Sequence, residues 1–305
     1  MKRIIRNIIL RFPITRELFF IICKRKVSLN KINKLINKLP KIDPIFSSEN
    51  ENIIVSLTSY GERINELKYV LYSLINQTIK PKKIIVNIAF DDEKFITDEL
   101  KFFEKYNVEF FLCEDLKSFK KLIPTLERYP NNVIITCDDD MFYEKDWLEQ
   151  LWKKHLEKKE DIIAHNIYGI SYENNQIIPY DLWPHSIINK KSSFKNFLVG
   201  CGGVLYPPGC FYKDILNKKL FLSLTPYADD IWFYFMAILN GRKISQPDKP
   251  HISFHYVNPY REYGLTEGNT LTKINVGQSK NDYQFLEVMK YYFQNTEKFL
   301  YYIED

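Results

Sequence analysis

Hydrophobic and polar positions alternate along the middle of the chain in blocks that predict strands and helices in turn. Short runs rich in Ile, Val and Leu occur at residues 53–57, 83–89, 108–113 and 133–137. Segments with apolar residues at helical spacing separate them, at residues 62–76, 94–106 and 118–129. Strands that alternate with such helical segments form right-handed βαβ units. The pattern therefore predicts an α/β fold with a mainly parallel central sheet flanked by helices.

The pattern is less regular in the second half of the chain. It predicts helices at residues 144–157, 230–240 and 283–302 and strands at residues 162–170 and 197–206. Residues 258–281 are polar and poor in aliphatic side chains, which is typical of a mobile loop over an active site. We therefore expect three parts: a basic amphipathic segment at 1–47, an α/β domain at 48–257, and a loop with a C-terminal helix at 258–305.

Charge is distributed unevenly along the chain. Residues 1–47 contain twelve Lys and Arg against two acids, so the remainder carries a net charge of −5 although the whole chain is +5. The same segment mixes its cations with aliphatic side chains, as in helices that lie on anionic membranes. We expect a membrane surface as its partner and no nucleic acid. The alternatives are a helical extension packed on the domain or on another protein, and an arm that binds nucleic acid.

Composition narrows the class of protein. With 305 residues, of which 45% are hydrophobic, the chain can bury one sizeable core. No apolar run approaches the ~20 residues that span a bilayer, and no signal peptide is visible, so we expect a cytoplasmic protein at the inner face of the membrane. The five cysteines are scattered without CxxC spacing, which argues against a disulfide framework and a zinc site.

Three consecutive aspartates, Asp138, Asp139 and Asp140, follow the strand predicted at 133–137. Neighbouring carboxylates raise one another's pKa, and bare buried carboxylates are costly. A hard divalent cation removes that cost, and ligands of open α/β sheets bind beyond the carboxyl ends of the strands. The triplet therefore predicts a metal site, with a solvated acidic turn as the alternative.

A second acidic pair, Asp229 and Asp230, lies directly before the aromatic run at 231–236. Acids in the first turn of a helix are stabilised by the helix dipole, so a structural role is one interpretation. A carboxylate held at a helix start beside an apolar wall is also suited to accept a hydroxyl proton. One acidic cluster for a metal and another for a base predict a two-part site.

Other candidate ligand contacts follow the first and third predicted strands or interrupt a later strand. Those at the strand ends are Thr58, Ser59, Tyr60, Arg63, Asp115 and Lys121. The residues after the first strand are suited to hold a base and a ribose, or to cap a helix. Within the strand at 197–206, Gly202 and Gly203 leave room for a ligand to approach the backbone, or serve a bulge.

The order of these motifs resembles that of a known enzyme family. The matching segments are 56–60, 73–78, 115–124, 138–140 and 228–233. Together they resemble bacterial glycosyltransferases of the GT-A fold and are similar to family 2 enzymes that build capsules, O-antigens and lipooligosaccharides. The resemblance covers about residues 52–244 and implies a Rossmann-like GT-A domain within 48–257.

The resemblance also implies an activity. It implies transfer of a sugar from a nucleotide diphosphate donor, a UDP-sugar above all, to a hydroxyl group of a glycan or lipid-linked glycan acceptor. The nucleotide is expected at Thr58, Ser59, Tyr60 and Asp115, with Lys121 beside it.

The same resemblance implies a metal site and a catalytic base. Asp138 and Asp140 match a DxD motif that binds ribose and Mn²⁺ or Mg²⁺, although three aspartates in a row leave its register open. His255 is a candidate third metal ligand, with a strand histidine as the alternative. Asp230 matches the base of an inverting enzyme, with Asp229 beside it as the other candidate.

The sequence disfavours some alternative functions and leaves others open. A DxDx(T/V) phosphatase is disfavoured because Phe142 stands where Thr or Val is needed, and no P-loop motif is present. A retaining transferase, a nucleotidyltransferase and a non-catalytic nucleotide-sugar-binding module of a glycan assembly complex stay open. The product anomer, pyrophosphate release and binding without turnover, respectively, would identify them.

Overall fold

A seven-stranded sheet forms the centre of the part of the chain that this computed structural model describes, residues 6, 8–23, 26–39, 50–265 and 280–304. Its strands are β1 (Asn50–Thr58), β2 (Pro81–Ala89), β3 (Val108–Cys113), β4 (Val133–Thr136), β5 (Ile162–Gly169), β8 (Asn196–Tyr206) and β9 (Ile244–Ser245). A separate hairpin pairs β6 (Tyr172–Glu173) with β7 (Gln176–Ile177).

The strand order is β3-β2-β1-β4-β8-β5-β9. Four pairs of neighbouring strands are parallel: β1 with β2, β1 with β4, β2 with β3, and β5 with β9. β8 runs antiparallel to its two neighbours, β4 and β5. The predicted mainly parallel sheet is confirmed. From β1 the chain first builds outward through β2 and β3 and then returns to place β4 on the other side. The carboxyl ends of β1 and β4 therefore flank a topological switch point, where ligands bind in such sheets.

Helices cover both faces of the sheet. They are α1 (Pro13–Ile22), α2 (Leu29–Ile36), α3 (Leu67–Ile75), α4 (Asp98–Lys101), α5 (Ile123–Arg128), α6 (Trp147–Glu157), α7 (Lys218–Leu224), α8 (Asp229–Leu239), α9 (Pro259–Glu262), α10 (Lys280–Phe293) and α11 (Thr296–Ile303). Short 3₁₀ helices lie at Gly61–Glu66, Phe90–Phe95, Phe102–Tyr106, Lys117–Lys121, Tyr180–Leu182 and Lys213–Leu216.

The sheet separates two hydrophobic layers because successive strand residues point to opposite faces. On β4, Ile134 belongs to the layer that contains residues of α8, α10 and α11, whereas Val133 and Ile135 belong to the layer that contains residues of α2, α3 and α6. α8 is buried along nearly its whole length, from Ile231 to Ile238. This burial fixes the position of the helix start, where the second acidic pair stands.

Several predicted helices are interrupted. The helix predicted at 283–302 is wrong as a single element, because Gln294 takes a left-handed conformation (φ 69°) and the Asn295 side chain caps α11 by accepting a hydrogen bond from Lys298 N at 2.9 Å. The segment at 118–129 begins as a 3₁₀ helix, and the α-helix restarts at Ile123 with Pro124 in its first turn. The segment at 94–106 breaks in the same way at Ile96 and Thr97, whose backbone is extended.

Most of the described N-terminal segment is helical, in α1 and α2, and Lys26 between them forms a β-bridge with Tyr256. Phe20 of α1 is fully buried, and Ile32 and Ile36 of α2 join the core layer that contains α3. Among the described residues, none of the helices has the length and apolar composition of a bilayer span. The division at residues 47 and 257 stays a prediction, and most of the loop predicted at 258–281 lies outside the described residues.

Candidate active site

The two acidic clusters meet at one buried lysine. Ser56 of β1 pairs with Thr136 of β4, so the segments that follow both strands leave the sheet at the same edge. From the 3₁₀ helix after β3, Lys121 places its Nζ 3.2 Å from Asp138 Oδ1 and 3.1 Å from Asp229 Oδ2. Because one ammonium group contacts both clusters, Asp138 and Asp229 line a single site.

A partly buried arginine holds the rest of the triplet. Arg63 donates from Nε to Asp139 Oδ2 at 3.0 Å and from Nη2 to Asp139 Oδ1, and its Nη2 also lies 3.0 Å from Asp140 Oδ2. Ser59 donates to Asp139 Oδ2 at 2.5 Å. Burial opposes the charge of Arg63, but Asp139 and Asp140 raise its pKa well above the ordinary value. Asp139 is thus engaged by Ser59 and Arg63 and supports the turn between the two outer aspartates.

A backbone N–H group of β8 orients the Asp230 side chain. Its Oδ2 accepts a hydrogen bond from Gly200 N at 3.0 Å, whereas its buried Oδ1 has no hydrogen-bond partner among the described residues. A Cβ at position 200 would lie 2.6 Å from Asp230 Oδ1 and 2.8 Å from Lys121 Nζ. Only glycine therefore lets the strand approach the carboxylate this closely. The glycine-rich segment 200–203 is visible in the sequence, but the sequence does not reveal that Gly200 lies against Asp230.

Two carboxyl groups of the site are poised to titrate near neutrality. Burial, followed by the charge of Asp139, raises the pKa of Asp140 to about 7. Burial, followed by the charge of Asp229, raises the pKa of Asp230 to about 7, against the opposing charge of Lys121. A carboxylate with a pKa near the working pH combines sufficient basicity with a substantial ionised fraction, which suits general-base catalysis.

These raised pKa values predict a pH-dependent stability. The folded protein retains protons on Asp140 and Asp230 that the unfolded chain releases above about pH 4. The free energy of unfolding should therefore fall as the pH rises from about 4 to 7, by up to about 1.4 kcal/mol per pH unit for each group. Urea unfolding at several pH values measures this slope.

The variant Asp230→Asn should flatten that profile and be more stable than the natural protein at pH 7. Asp115→Asn is the control, because Lys120 and the Lys117 N–H lower the pKa of Asp115 against the effect of burial. In Asp115→Asn the free energy of unfolding should still fall as the pH rises from about 4 to 7. Equal slopes in the natural protein and Asp230→Asn would contradict the assignment of Asp230 as a group protonated by burial.

The chemistry of the site fits a divalent cation. Five aspartates share this site with two cations, partly buried Arg63 and buried Lys121, so ionisation of all five leaves an excess of negative charge. Carboxylate oxygens are the donors that Mg²⁺ and Mn²⁺ prefer. Within the described ranges, however, no three His, Cys, Asp or Glu side chains are already grouped as metal ligands.

His255 borders a shallow surface cleft that begins at Met141, the residue after the aspartate triplet. Its Nε2 lies 3.2 Å from Glu144 Oε1, and its carbonyl accepts a hydrogen bond from Phe142 N at 2.8 Å. The imidazole is therefore engaged by Glu144 in this structure, and its role as a metal ligand stays a prediction.

The predicted nucleotide contacts occupy the same sheet edge but differ in accessibility. Thr58 donates its hydroxyl to Asn87 O at 2.8 Å, so that hydroxyl is already engaged in the sheet. Tyr60 is 51% exposed, and its ring centroid lies 5.3 Å from the Arg63 guanidinium. Asp115 is exposed and pairs with buried Lys120. Tyr60 and Asp115 therefore have the accessible surfaces that a base and ribose require.

Gly202 and Gly203 face aromatic rings. A Cβ at Gly203 would lie 2.5 Å from the Trp147 ring, and one at Gly202 would lie 3.0 Å from Phe254. Trp147 also donates from Nε1 to Gly202 O at 2.6 Å, and both glycines have φ above +100°. The room beside these glycines is filled by protein, so their predicted contact with the donor has no support from this packing.

Comparison with known proteins identifies a family match. The model of glycosyl transferase family 2 matches residues 54–212, slightly more than half of the chain. The matched segment begins in β1 and contains the Asp138–Asp140 triplet, Lys121 and Gly200. It ends before Asp229 and Asp230. No curated protein matches the sequence of this chain.

Solved structures show more distant similarity. A crystal structure of S. aureus TarS 1-349 is 15% identical, covers 79% of this chain and 72% of that chain, and has a TM-score of 0.46. The same protein in complex with UDP is 16% identical, with 67% and 59% coverage and a TM-score of 0.44. A CMP:2-keto-3-deoxy-manno-octonic acid synthetase complexed with CTP is 10% identical, with 65% and 89% coverage and a TM-score of 0.41.

Proposed function

The chain belongs to glycosyl transferase family 2, and from this premise we propose that it transfers a sugar from a nucleotide diphosphate donor to a hydroxyl group of a bacterial surface glycan. The observation that supports this proposal is the meeting of the two acidic clusters at Lys121. The donor we propose is a UDP-sugar, and the acceptor a glycan or lipid-linked glycan reached at the cytoplasmic face of the membrane.

Asp230 acts as the base in this proposal. Its unpartnered Oδ1 and its raised pKa suit it to accept the proton of an attacking hydroxyl group. Attack from the face opposite the departing diphosphate inverts the anomeric carbon. Gly200 N fixes the carboxylate through Oδ2, so Oδ1 stays available for the incoming proton.

Asp138 and Asp140 would hold Mn²⁺ or Mg²⁺, with His255 as the further candidate ligand. A bound cation supplies Lewis-acid stabilisation of the negative charge that develops on the leaving diphosphate. Arg63 keeps the triplet in place through Asp139, and Lys121 contributes a fixed positive charge between the two clusters. Tyr60, with Asp115 across the sheet edge, would bind the nucleoside.

A panel of nucleotide sugars tests the donor class. The preferred nucleotide should raise the melting temperature by about 5 °C at a hundredfold excess over its Kd, because ligand binding at that ratio stabilises the folded state by about 2.7 kcal/mol. It should also be hydrolysed slowly in the absence of acceptor. Release of pyrophosphate from a nucleoside triphosphate would instead indicate a nucleotidyltransferase.

Removal of divalent cations tests the metal. After treatment with EDTA, hydrolysis of the preferred donor should fall at least ~100-fold and return on addition of Mn²⁺ or Mg²⁺. Asp140→Asn should need a higher Mn²⁺ concentration for half-maximal activity, whereas Asp92→Asn, on the 3₁₀ helix after β2, should behave as the natural protein. Full activity in EDTA would overturn the proposed cofactor.

A further inference from the structure

α1 carries an apolar face that the rest of the described chain leaves bare. Ile14 is 84% exposed, Leu18 54%, Ile21 65% and Ile22 69%. Their spacing of four, three and one residues places them on one side of the helix. Phe12, the residue that precedes the helix, is also 61% exposed. Such a contiguous set of large apolar side chains is typical of an interaction surface.

The opposite side of α1 is attached to the domain by aromatic contacts. Phe20 is fully buried, and its ring centroid lies 5.4 Å from that of Tyr260 and 5.5 Å from that of Tyr263. The Arg16 guanidinium lies 5.0 Å from the Tyr260 ring centroid. Because these contacts fix the rotation of the helix, the bare face cannot turn inward without breaking them.

Charge indicates what covers that face. The segment 1–47 carries twelve cationic side chains against two acids. Arg11 is exposed one residue before Phe12, α2 exposes Lys31 and Lys34 at the spacing of one helix face, and Lys38 is exposed in the turn after α2. An apolar stripe accompanied by cations binds anionic lipid headgroups. Two copies of this segment would repel each other, which disfavours self-association through it.

We propose that α1 docks the protein on an anionic lipid bilayer, with Ile14, Leu18, Ile21 and Ile22 entering the headgroup region. The helix lies in the plane of the surface, because α1 is only ten residues long and its other face is held by the domain. This inference identifies the face that contacts the membrane and does not require the transferase activity.

A short path of backbone contacts connects the segment after α1 to the aspartate triplet. Tyr256, near the aromatic residues that hold α1, forms β-bridges with both Lys26 and Met141, and Val257 N donates to Asp140 O at 2.8 Å. Docking therefore presents the site close to the bilayer. If the proposed function holds, the acceptor hydroxyl belongs to a glycan whose lipid carrier lies in the same membrane.

Vesicle flotation tests the docking face with the full chain. At ~0.1 M salt the natural protein should float with vesicles of phosphatidylcholine containing phosphatidylglycerol and much less with phosphatidylcholine alone, and binding should weaken at ~0.5 M salt. The triple variant Ile14→Gln, Leu18→Gln, Ile21→Gln should lose at least tenfold in the bound fraction. The matched control replaces exposed apolar residues elsewhere, Leu156→Gln, Leu216→Gln and Tyr301→Gln, and should bind as the natural protein.

Thermal melting and donor hydrolysis in solution check that both variants fold and keep the site intact. Undiminished flotation of the triple variant would overturn the proposal. The proposal would also be overturned if the natural protein formed a dimer that does not float and the triple variant were a monomer. In that case the apolar face of α1 would bind a second copy of the chain. Loss of flotation with donor hydrolysis retained supports the docking face, whereas flotation without hydrolysis in the natural protein would count only against the proposed function.

Discussion

Replacing Asp230 by Asn is expected to lower kcat for sugar transfer by about 10³-fold while leaving donor binding nearly unchanged. The amide keeps the size of the side chain, but it cannot accept the proton of the acceptor hydroxyl. Donor binding should persist because the proposed nucleotide contacts, Tyr60 and Asp115, lie on other segments of the sheet edge. Steady-state kinetics with the preferred donor, together with its thermal shift, measures the two effects separately.

The neighbouring aspartate provides the control for this experiment. Asp229 contacts Lys121, and its charge contributes to the raised pKa of Asp230 after burial. Asp229→Asn should therefore keep most of the activity and move the acidic limb of the pH profile to lower pH. If Asp230→Asn retained near-normal transfer and Asp229→Asn abolished it, the base would be Asp229 and the orientation given by Gly200 would be irrelevant to catalysis.

The sequence predicted which polar residues lie at the sheet edge, because a strand and the polar residues that directly follow it are local features of the chain. The run 133–137 and the aspartates after it can be identified without knowing any neighbour, and β1 and β4 then bring their exits together. The family resemblance added roles for Asp138, Asp140 and Asp230. It did not reveal that Lys121 contacts Asp138 and Asp229, because that arrangement depends on side chains from three distant segments.

Other features were beyond sequence reasoning because they depend on packing. The glycines at 200–203 look alike in sequence, yet Gly200 faces Asp230 whereas Gly202 and Gly203 face aromatic rings. The bare side of α1 was likewise not predictable, since an amphipathic pattern does not say which apolar residues the domain will cover. Tyr260 and Tyr263 settle that choice by packing on Phe20.

Gly200→Ala is expected to lower kcat by about 100-fold with a much smaller change in KM for the donor. The added methyl group would lie 2.6 Å from Asp230 Oδ1 and 2.8 Å from Lys121 Nζ. Neither group can move freely, because Gly200 N holds the carboxylate and two aspartates hold the ammonium. The proposed base, Asp230, would shift away from the acceptor, and a displacement of about 1 Å is enough for such a loss.

Gly169→Ala on the neighbouring strand β5 separates this effect from a general cost of adding a methyl group. Its Cβ would meet only side-chain atoms, the nearest being Ile187 Cδ1 at an ordinary 3.4 Å, so activity and melting temperature should stay close to those of the natural protein. Gly200→Ala should also change the pH profile, because Asp230 would be moved relative to the charges of Asp229 and Lys121. If Gly200→Ala kept the natural kcat and pH profile, the β8 backbone would not be needed to orient Asp230. The assignment of Asp230 as the base would then depend on the Asp230→Asn result alone.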